Sequence, residues 1–386
     1  MKVGYVATTV FPHYWVDTQQ VVKNANALSL AGCEVDLIIP RKWDRYFFSS
    51  NEKRKKILSD FYGVDIQFNL MQIPHIPPTQ LHLQKIPHGM LIPLLTFFKK
   101  YDVIYTRAFW TLAMCSLFGI PCVLENHRLL KDHYQTYYKI FYACLQSGAL
   151  KGVVTNAQVI SDHYTSIGVP SNRVLTAHNC FDPEDALPVL TKTDARKKIG
   201  LDNQKKYICY AGNIRRYKGI ELIIQMAKEL PEFTFIICGG YPQDVEDAKA
   251  LANTYGVTNM DFRGFIQVAD LSTYLYAADF LLIPPSAKPF EQHKKTVLPI
   301  KTYTYLSIGR PILAPKMGDI EEVLHDGKNA ILLPPDNLLE ITKTIRAYAQ
   351  DEAALIQISR QALEDARLYT WETRGQNIKA FLEAVL

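Results

Sequence analysis

The sequence predicts an α/β protein of two doubly wound parallel-sheet domains that face a cleft. Its 386 residues exceed what one hydrophobic core usually serves. Short β-branched runs alternate with longer amphipathic segments in both halves, the order that builds parallel sheets. Around Phe181 to Leu201 the text turns to Asp-Pro-Glu-Asp and then to charged and polar residues, which suits a linker between the halves.

In the first half, Lys2 to Thr8 reads as a strand and Asp17 to Ala31 carries apolar residues at helical spacing. Gly32 closes that helix, and Glu34 to Ile39 is the next strand. Val103 to Thr106, Pro121 to Glu125, Gly152 to Thr155 and Arg173 to His178 continue the sheet, with a helix over His133 to Leu150. Between Phe47 and Lys100 the pattern weakens. There, Ile73 to Lys100 mixes prolines, apolar residues and terminal lysines, which suits a membrane or apolar-acceptor contact, or a Pro-rich loop leading into a partly buried helix.

The second alternation starts at Lys206, with strands at Tyr207 to Ala211, Thr234 to Cys238, Met260 to Arg263, Phe280 to Ile283, Pro311 to Ala314 and Ala330 to Leu333. Helices are predicted over Gly219 to Glu229, Gln243 to Tyr255, Val268 to Ala277 and Leu298 to Ser307. The resulting division is 1–185, 186–365 and a final helix, 366–386, packing back on the N-terminal domain. Ligands of open parallel sheets bind at the carboxyl ends of the strands, so the chemistry is sought there.

Composition narrows the partners. Hydrophobic residues at 48% and charged residues at 21% are ordinary globular values and exclude a disordered or fibrous chain. Lys and Arg outnumber Asp and Glu by 18 to 14 over residues 1–190 and by 25 to 24 afterwards. That surplus fits an anionic surface, an acidic substrate or a solvated charged face, while nucleic-acid binding calls for a denser basic stripe. Seven cysteines form no C-x-x-C pair and read as reduced core residues of a cytoplasmic protein. The run from Val3 to Ala7 is too short for a signal peptide, and no apolar stretch reaches about 18 residues, so a soluble or peripheral protein is expected.

Tyr210-Ala-Gly-Asn-Ile-Arg-Arg-Tyr-Lys-Gly is the most informative stretch: a strand, a glycine turn, then Arg215, Arg216 and Lys218 before a helix. Backbone N–H groups at such a turn, with three cations, suit a diphosphate, and a solvated basic loop has the same composition. A second helix opens at Pro299, carries Lys301 and Thr304 and ends at Gly309, which is ordinary punctuation that also aims a helix N-terminus at an anion. In the first half, Glu125 and His127 follow a strand, as does Arg107, which can reach a ligand or a surface carboxylate. His13, Tyr14 and Trp15, between the first strand and helix, offer stacking and hydrogen-bonding surface or core packing, and Asp17 and Thr18 can cap that helix.

These segments, in this order, resemble the retaining GT-B glycosyltransferases of family 4. Lys218-Gly219 matches the Gly-Arg-Leu-x-x-x-Lys-Gly that opens their C-terminal domain, with Asn213 where the usual Arg stands, so its role passes to Arg215 or Arg216 or is lost. Pro299 to Leu313 is similar to Pro-x-Lys-x-x-Glu-Tyr-Met-Ala-x-Gly-x-Pro-Ile, with Thr304 in place of the glutamate that holds the donor ribose. Eight residues earlier Thr296 replaces the second glutamate of that signature. Val323 to Leu333 and Tyr369-Thr-Trp-Glu resemble the family's late segments.

The resemblance implies a GT-B fold and hexose transfer, with retention, from a nucleotide sugar to a glycan or lipid-linked acceptor in cell-surface polysaccharide or glycolipid synthesis. No metal or other cofactor is implied, and the setting is the cytoplasm, at the inner face of the membrane. His127, Lys218 and Arg216 take catalytic roles. Asn213, Arg215, Glu291, Pro299, Lys301 and Thr304 bind the donor, and His13, Tyr14, Trp15 and Arg107 the acceptor. The missing glutamates leave two other readings: an inactive GT-B protein that binds a nucleotide or sugar, and a nucleotide-sugar epimerase on the same plan.

Overall fold

The computed structural model describes residues 1–13, 16–41, 50–73, 85–130, 135–215, 218–292 and 298–386. It divides into one unit of Met1–His178 with Trp371–Leu386 and a second of Asn179–Thr370.

The central strands of the first unit are apolar on both faces. Val3, Tyr5 and Tyr105 feed one core, while Val6, Ile104 and Leu124 feed another. Such strands are stable only when helices cover both sides, which forces the parallel, doubly wound arrangement. The order along the chain is β1 (Lys2–Val6), α1 (Val16–Leu30), β2 (Glu34–Pro40), α2 (Asn51–Tyr62), β3 (Asn69–Ile73), α3 (Lys85–Lys99), β4 (Val103–Thr106) and α4 (Phe109–Leu117), followed by β5 (Cys122–Glu125), α5 (Gln135–Gln146), β6 (Leu150–Thr155), α6 (Gln158–Ser166) and β7 (Val174–Thr176). The seven-stranded sheet has the order β3-β2-β1-β4-β5-β6-β7, and every pair is parallel.

The stretch from Phe47 to Lys100, weakly patterned in sequence, holds α2, β3 and α3. Helix α2 is capped by the Ser50 side chain on Lys53 N and by Gly63 at φ 64°. Its polar composition hid an element whose Leu58 and Tyr62 alone are buried.

In the second unit α7 (Lys192–Ile199), β8 (Lys206–Ala211), α8 (Ile220–Glu229), β9 (Phe233–Cys238), α9 (Pro242–Thr254), β10 (Met260–Gly264), α10 (Val268–Ala277) and β11 (Phe280–Leu282) come first. Then follow α11 (Lys288–Gln292), α12 (Lys301–Ile308), β12 (Ile312–Pro315), β13 (Ile331–Leu333), α13 (Leu338–Tyr348) and α14 (Glu352–Ala366). The six-stranded sheet has the order β10-β9-β8-β11-β12-β13, again all parallel. The expected linker over Phe181 to Leu201 contains α7. Arg196, buried, fixes it by donating to Ala277 O at 2.9 Å and pairing with Asp279 at 2.7 Å.

The last helix, α15 (Trp371–Val385), belongs to the first unit and packs on α1. Gly375 is required there, since a Cβ would stand 2.4 Å from Ala27 O. All seven cysteines are buried, and none forms a disulfide.

Candidate functional site

The strand order of each sheet reverses once, between β1 and β4 and between β8 and β11, and such switch points open a crevice at the strand ends. Both crevices hold unusual chemistry.

In the first unit it is a buried carboxylate. Glu125, at the end of β5 and 3% exposed, receives Arg374 Nη2 and His127 Nε2, each at 2.8 Å on Oε1, and the Tyr5 hydroxyl at 3.1 Å on Oε2. Burial alone would raise its pKa. The His127 hydrogen bond and the charges of Arg374 and Arg107 outweigh burial and hold the carboxyl well below the usual carboxylate range. Arg374, on α15, also reaches Asn24 Oδ1 at 3.2 Å and the carbonyls of Ala177 and His178. The C-terminal helix is thereby tied to the strand ends.

His127 is neutral: burial and the Arg107 charge push its pKa down to about 4. Its Nδ1 lies 3.1 Å from Arg107 Nη2. A guanidinium only donates, so Nδ1 must accept, and the proton sits on Nε2, facing Glu125. Both ring nitrogens are therefore engaged. Arg107 in turn pairs with Asp17 at 2.7 Å, a carboxylate about half exposed. His13 presents its backbone N–H and C=O to the Tyr62 hydroxyl, and its carbonyl also accepts from Thr18.

In the second unit the crevice contains two adjoining cavities, of about 550 and about 170 Å³, that share Gly212, Asn213 and Lys301. The larger is mostly apolar and runs between Gly239, Tyr241, Phe265, Thr304 and Tyr305, and the smaller adds Lys218, Pro284, Ser286 and Pro299. Backbone packs tightly here. A Cβ at Gly239 would stand 2.2 Å from Gly212 O, and Gly212 itself holds φ 143°, so the loops after β8 and β9 need glycine at these positions. The Tyr305 hydroxyl accepts from Ala211 N at 2.9 Å and pins the start of the loop to α12.

Lys301 Nζ lies over the Tyr210 ring at 4.0 Å. No ion pair reaches it among the described residues, and burial together with the Lys218 charge pushes its pKa down to about 7. No described residue lining either cavity is a carboxylate. Lys218 and Lys301, at glycine turns and beside a helix start, make a cationic receptacle for an anion.

Residues 191–366 match the family model for glycosyl transferases group 1. Over that stretch, less than half of the chain, the protein is similar to a group 1 glycosyltransferase domain. A D-inositol 3-phosphate glycosyltransferase of Xylanimonas cellulosilytica is 22% identical over 197 residues, which are 50% of this chain and 45% of that protein. An alpha-galactosylglucosyldiacylglycerol synthase of Streptococcus pneumoniae is 25% identical over 227 residues, 57% of each chain. The chain thus spans about half the length of these curated relatives. The crystal structure of Anabaena HepE in complex with UDP superposes over 100% of both chains, with a TM-score of 0.72 at 18% identity. The two Rossmann-like units and these structural neighbours make the fold GT-B.

Within the matched stretch the structure brings Asn213, Lys218, Pro299, Lys301 and Thr304 to the two cavities. Arg215 lines neither cavity; its guanidinium lies over the ring of Tyr241, a lining residue, and 3.8 Å from Asp244. Glu291 is exposed on α11 and lines neither cavity. In the first unit His127 and Arg107 meet, while His13 lies beside Tyr62. Tyr14, Trp15, Arg216 and Thr296 lie outside the described residues.

Sequence reasoning missed Tyr5, Asn24 and Arg374, and the Gly239-Gly240 loop. Arg374 is legible in hindsight: it stands four and eight residues before Ile378 and Leu382, on the buried stripe of an amphipathic helix. An arginine on such a stripe needs a buried acid.

Proposed function

We propose that the protein transfers a hexose from a nucleotide sugar to a glycan or lipid-linked acceptor, with retention and without a metal. The observation that carries this is the pair of adjoining cavities in the stretch matched by the group 1 model, with Lys301 at their junction, Lys218 in the smaller one and no carboxylate among the described lining residues. The apolar cavity suits a nucleoside and the smaller, cationic one a diphosphate and its sugar. UDP in the HepE structure supports a nucleoside diphosphate as the common chemistry of such sites. Lys218 and Lys301, with the N–H groups at the start of α12, neutralise the charge that builds on the leaving diphosphate. Preorganised charge of this kind supplies most of the acceleration in transfers with an anionic leaving group.

The acceptor is assigned to the first unit, where His127 and Arg107 line the strand ends. His127 contributes through its ring face and its hold on Arg107, since both nitrogens are engaged. Lipid-linked or polysaccharide acceptors, at the inner face of the membrane, complete the reading.

A thermal-shift screen of UDP, GDP, ADP and TDP tests the donor site. One of them, at a hundred times its dissociation constant, stabilises the protein by about 2.7 kcal/mol. Lys218→Ala removes most of that shift. An unchanged melting temperature with every nucleotide overturns the donor assignment.

A further inference from the structure

Helix α3 breaks the rule that an amphipathic helix turns its apolar side inward. Its inward side is apolar, with Ile92 and His88 buried and Gly89 so close to α4 that a Cβ would stand 3.1 Å from the Trp110 backbone. The opposite side is apolar too. Met90, Leu94, Phe97 and Phe98 recur at i, i+4, i+7 and i+8, one face of a helix, and are all exposed, Phe97 at 77% and Phe98 at 70%. The two phenyl rings meet edge to face at 5.5 Å and find no further aromatic partner among the described residues. At the end of the neighbouring helix α4, Leu117 and Phe118 are exposed at 73% and 63%. Large apolar side chains exposed along one helix face and at the end of the helix packed beside it mark an interaction surface.

Charge distinguishes the possible occupants. Helices α3, α4 and α5, which pack side by side, contain no Asp or Glu. Their exposed charges are cationic: Lys99 and Lys100 next to the two phenylalanines, and Lys139 on α5. Asp102, just beyond, is occupied by the Lys2 backbone N–H at 2.6 Å. A second copy of the chain, packed face to face, would set lysines against lysines with no carboxylate opposite, and like charges brought together oppose association. A bilayer with anionic headgroups meets both requirements: it takes the apolar side chains to the acyl boundary and the lysines at the headgroups. No described helix is long and apolar enough to cross a membrane.

We propose that the outer face of α3, with the end of α4, docks the protein on an anionic lipid surface. The attachment is peripheral. It is independent of donor binding, because the residues involved lie in the first unit and the two cavities in the second.

Co-sedimentation of the full chain with phosphatidylcholine vesicles, with and without phosphatidylglycerol, tests this in the absence of nucleotide. Binding is expected to the vesicles containing phosphatidylglycerol and to weaken with salt. Phe97→Ser combined with Phe98→Ser lowers the affinity by on the order of tenfold or more, since binding scales with buried apolar area. Lys99→Glu with Lys100→Glu lowers it by about as much, and only on anionic vesicles. All four substitutions are on the surface, so melting temperature and nucleotide-induced shifts stay at wild-type values. Failure of the wild type to bind anionic vesicles, or undiminished binding by both variants, overturns the proposal. So does a concentration-dependent dimer, seen by light scattering and abolished by the phenylalanine variant, in a protein that ignores vesicles. A missing nucleotide shift with vesicle binding intact would count against the transferase reading alone.

Discussion

Arg374→Met is expected to destabilise the first unit by about 3–5 kcal/mol, the cost of leaving a buried partner charge uncompensated. The guanidinium is 4% exposed and serves Glu125, Asn24 and two backbone carbonyls at once. Its removal strands an ionised carboxylate beneath the strand ends, and methionine replaces the volume but none of the donors. Arg374→Lys, which keeps the charge and loses the fork, recovers part of the loss. Acid unfolding gives a second readout. Glu125 has a depressed folded-state pKa, so its stabilisation is present above the unfolded carboxylate value of 4.5 and fades as pH falls below it. Without Arg374 the depression shrinks, and the acid transition moves to higher pH. Urea titration of wild type and variant across pH 3 to 7 checks both, and a wild-type midpoint for Arg374→Met would refute the network's structural role.

Lys301→Met is expected to act in opposite directions on stability and on ligand binding. Without a ligand the half-buried ammonium costs free energy, because it leaves much of its water for a site that holds no counter-ion among the described residues. Methionine removes that cost, and the variant is more stable by about 1–3 kcal/mol, a figure discounted for the lysine's partial exposure. In a unit of this size each kcal/mol raises the melting temperature by about 2–4 °C. The pH dependence follows from the depressed pKa. Below about 7 the lysine is charged in both folded and unfolded states and the penalty is complete; it fades as pH rises from there to the unfolded value of 10.5. The variant's advantage is therefore largest at or below neutral pH. The same substitution abolishes most nucleotide-induced stabilisation, since the diphosphate loses a charge-assisted partner. Melting curves of both proteins with and without UDP or GDP separate the effects. A variant less stable than wild type without nucleotide, yet shifted as far with it, would show that Lys301 is a packing residue.

Much of this was legible in sequence because parallel strands buried on both faces read as continuous apolar runs. β1, β4, β8 and α10 stand within a residue or two of their sequence-derived bounds. The glycine turn at Gly212 and the helix opened by Pro299 likewise announced the cavity they line. What escaped were elements with polar surfaces and few buried positions, such as α2 and α7, and contacts made across long separations. Glu125 and Arg374 are 249 residues apart, and no local pattern pairs them. The partners of Arg215 were equally hidden: its sequence neighbours group it with the cations before α8, and no local pattern announces that it meets Asp244 and the Tyr241 ring of the next loop and helix.

The most direct test of the central claim, that the cavities around Lys218 and Lys301 hold a nucleotide-sugar donor for transfer, is nucleoside diphosphate release. UDP- and GDP-hexoses would be supplied with a panel of saccharide and lipid-linked acceptors, and the released diphosphate measured for wild type and Lys218→Ala. The expected result is acceptor-dependent release from at least one donor, falling by about a hundred- to a thousandfold in the variant, the usual effect of removing one preorganised charge from a transition state. No release from any donor, or an equal rate in Lys218→Ala, would contradict it.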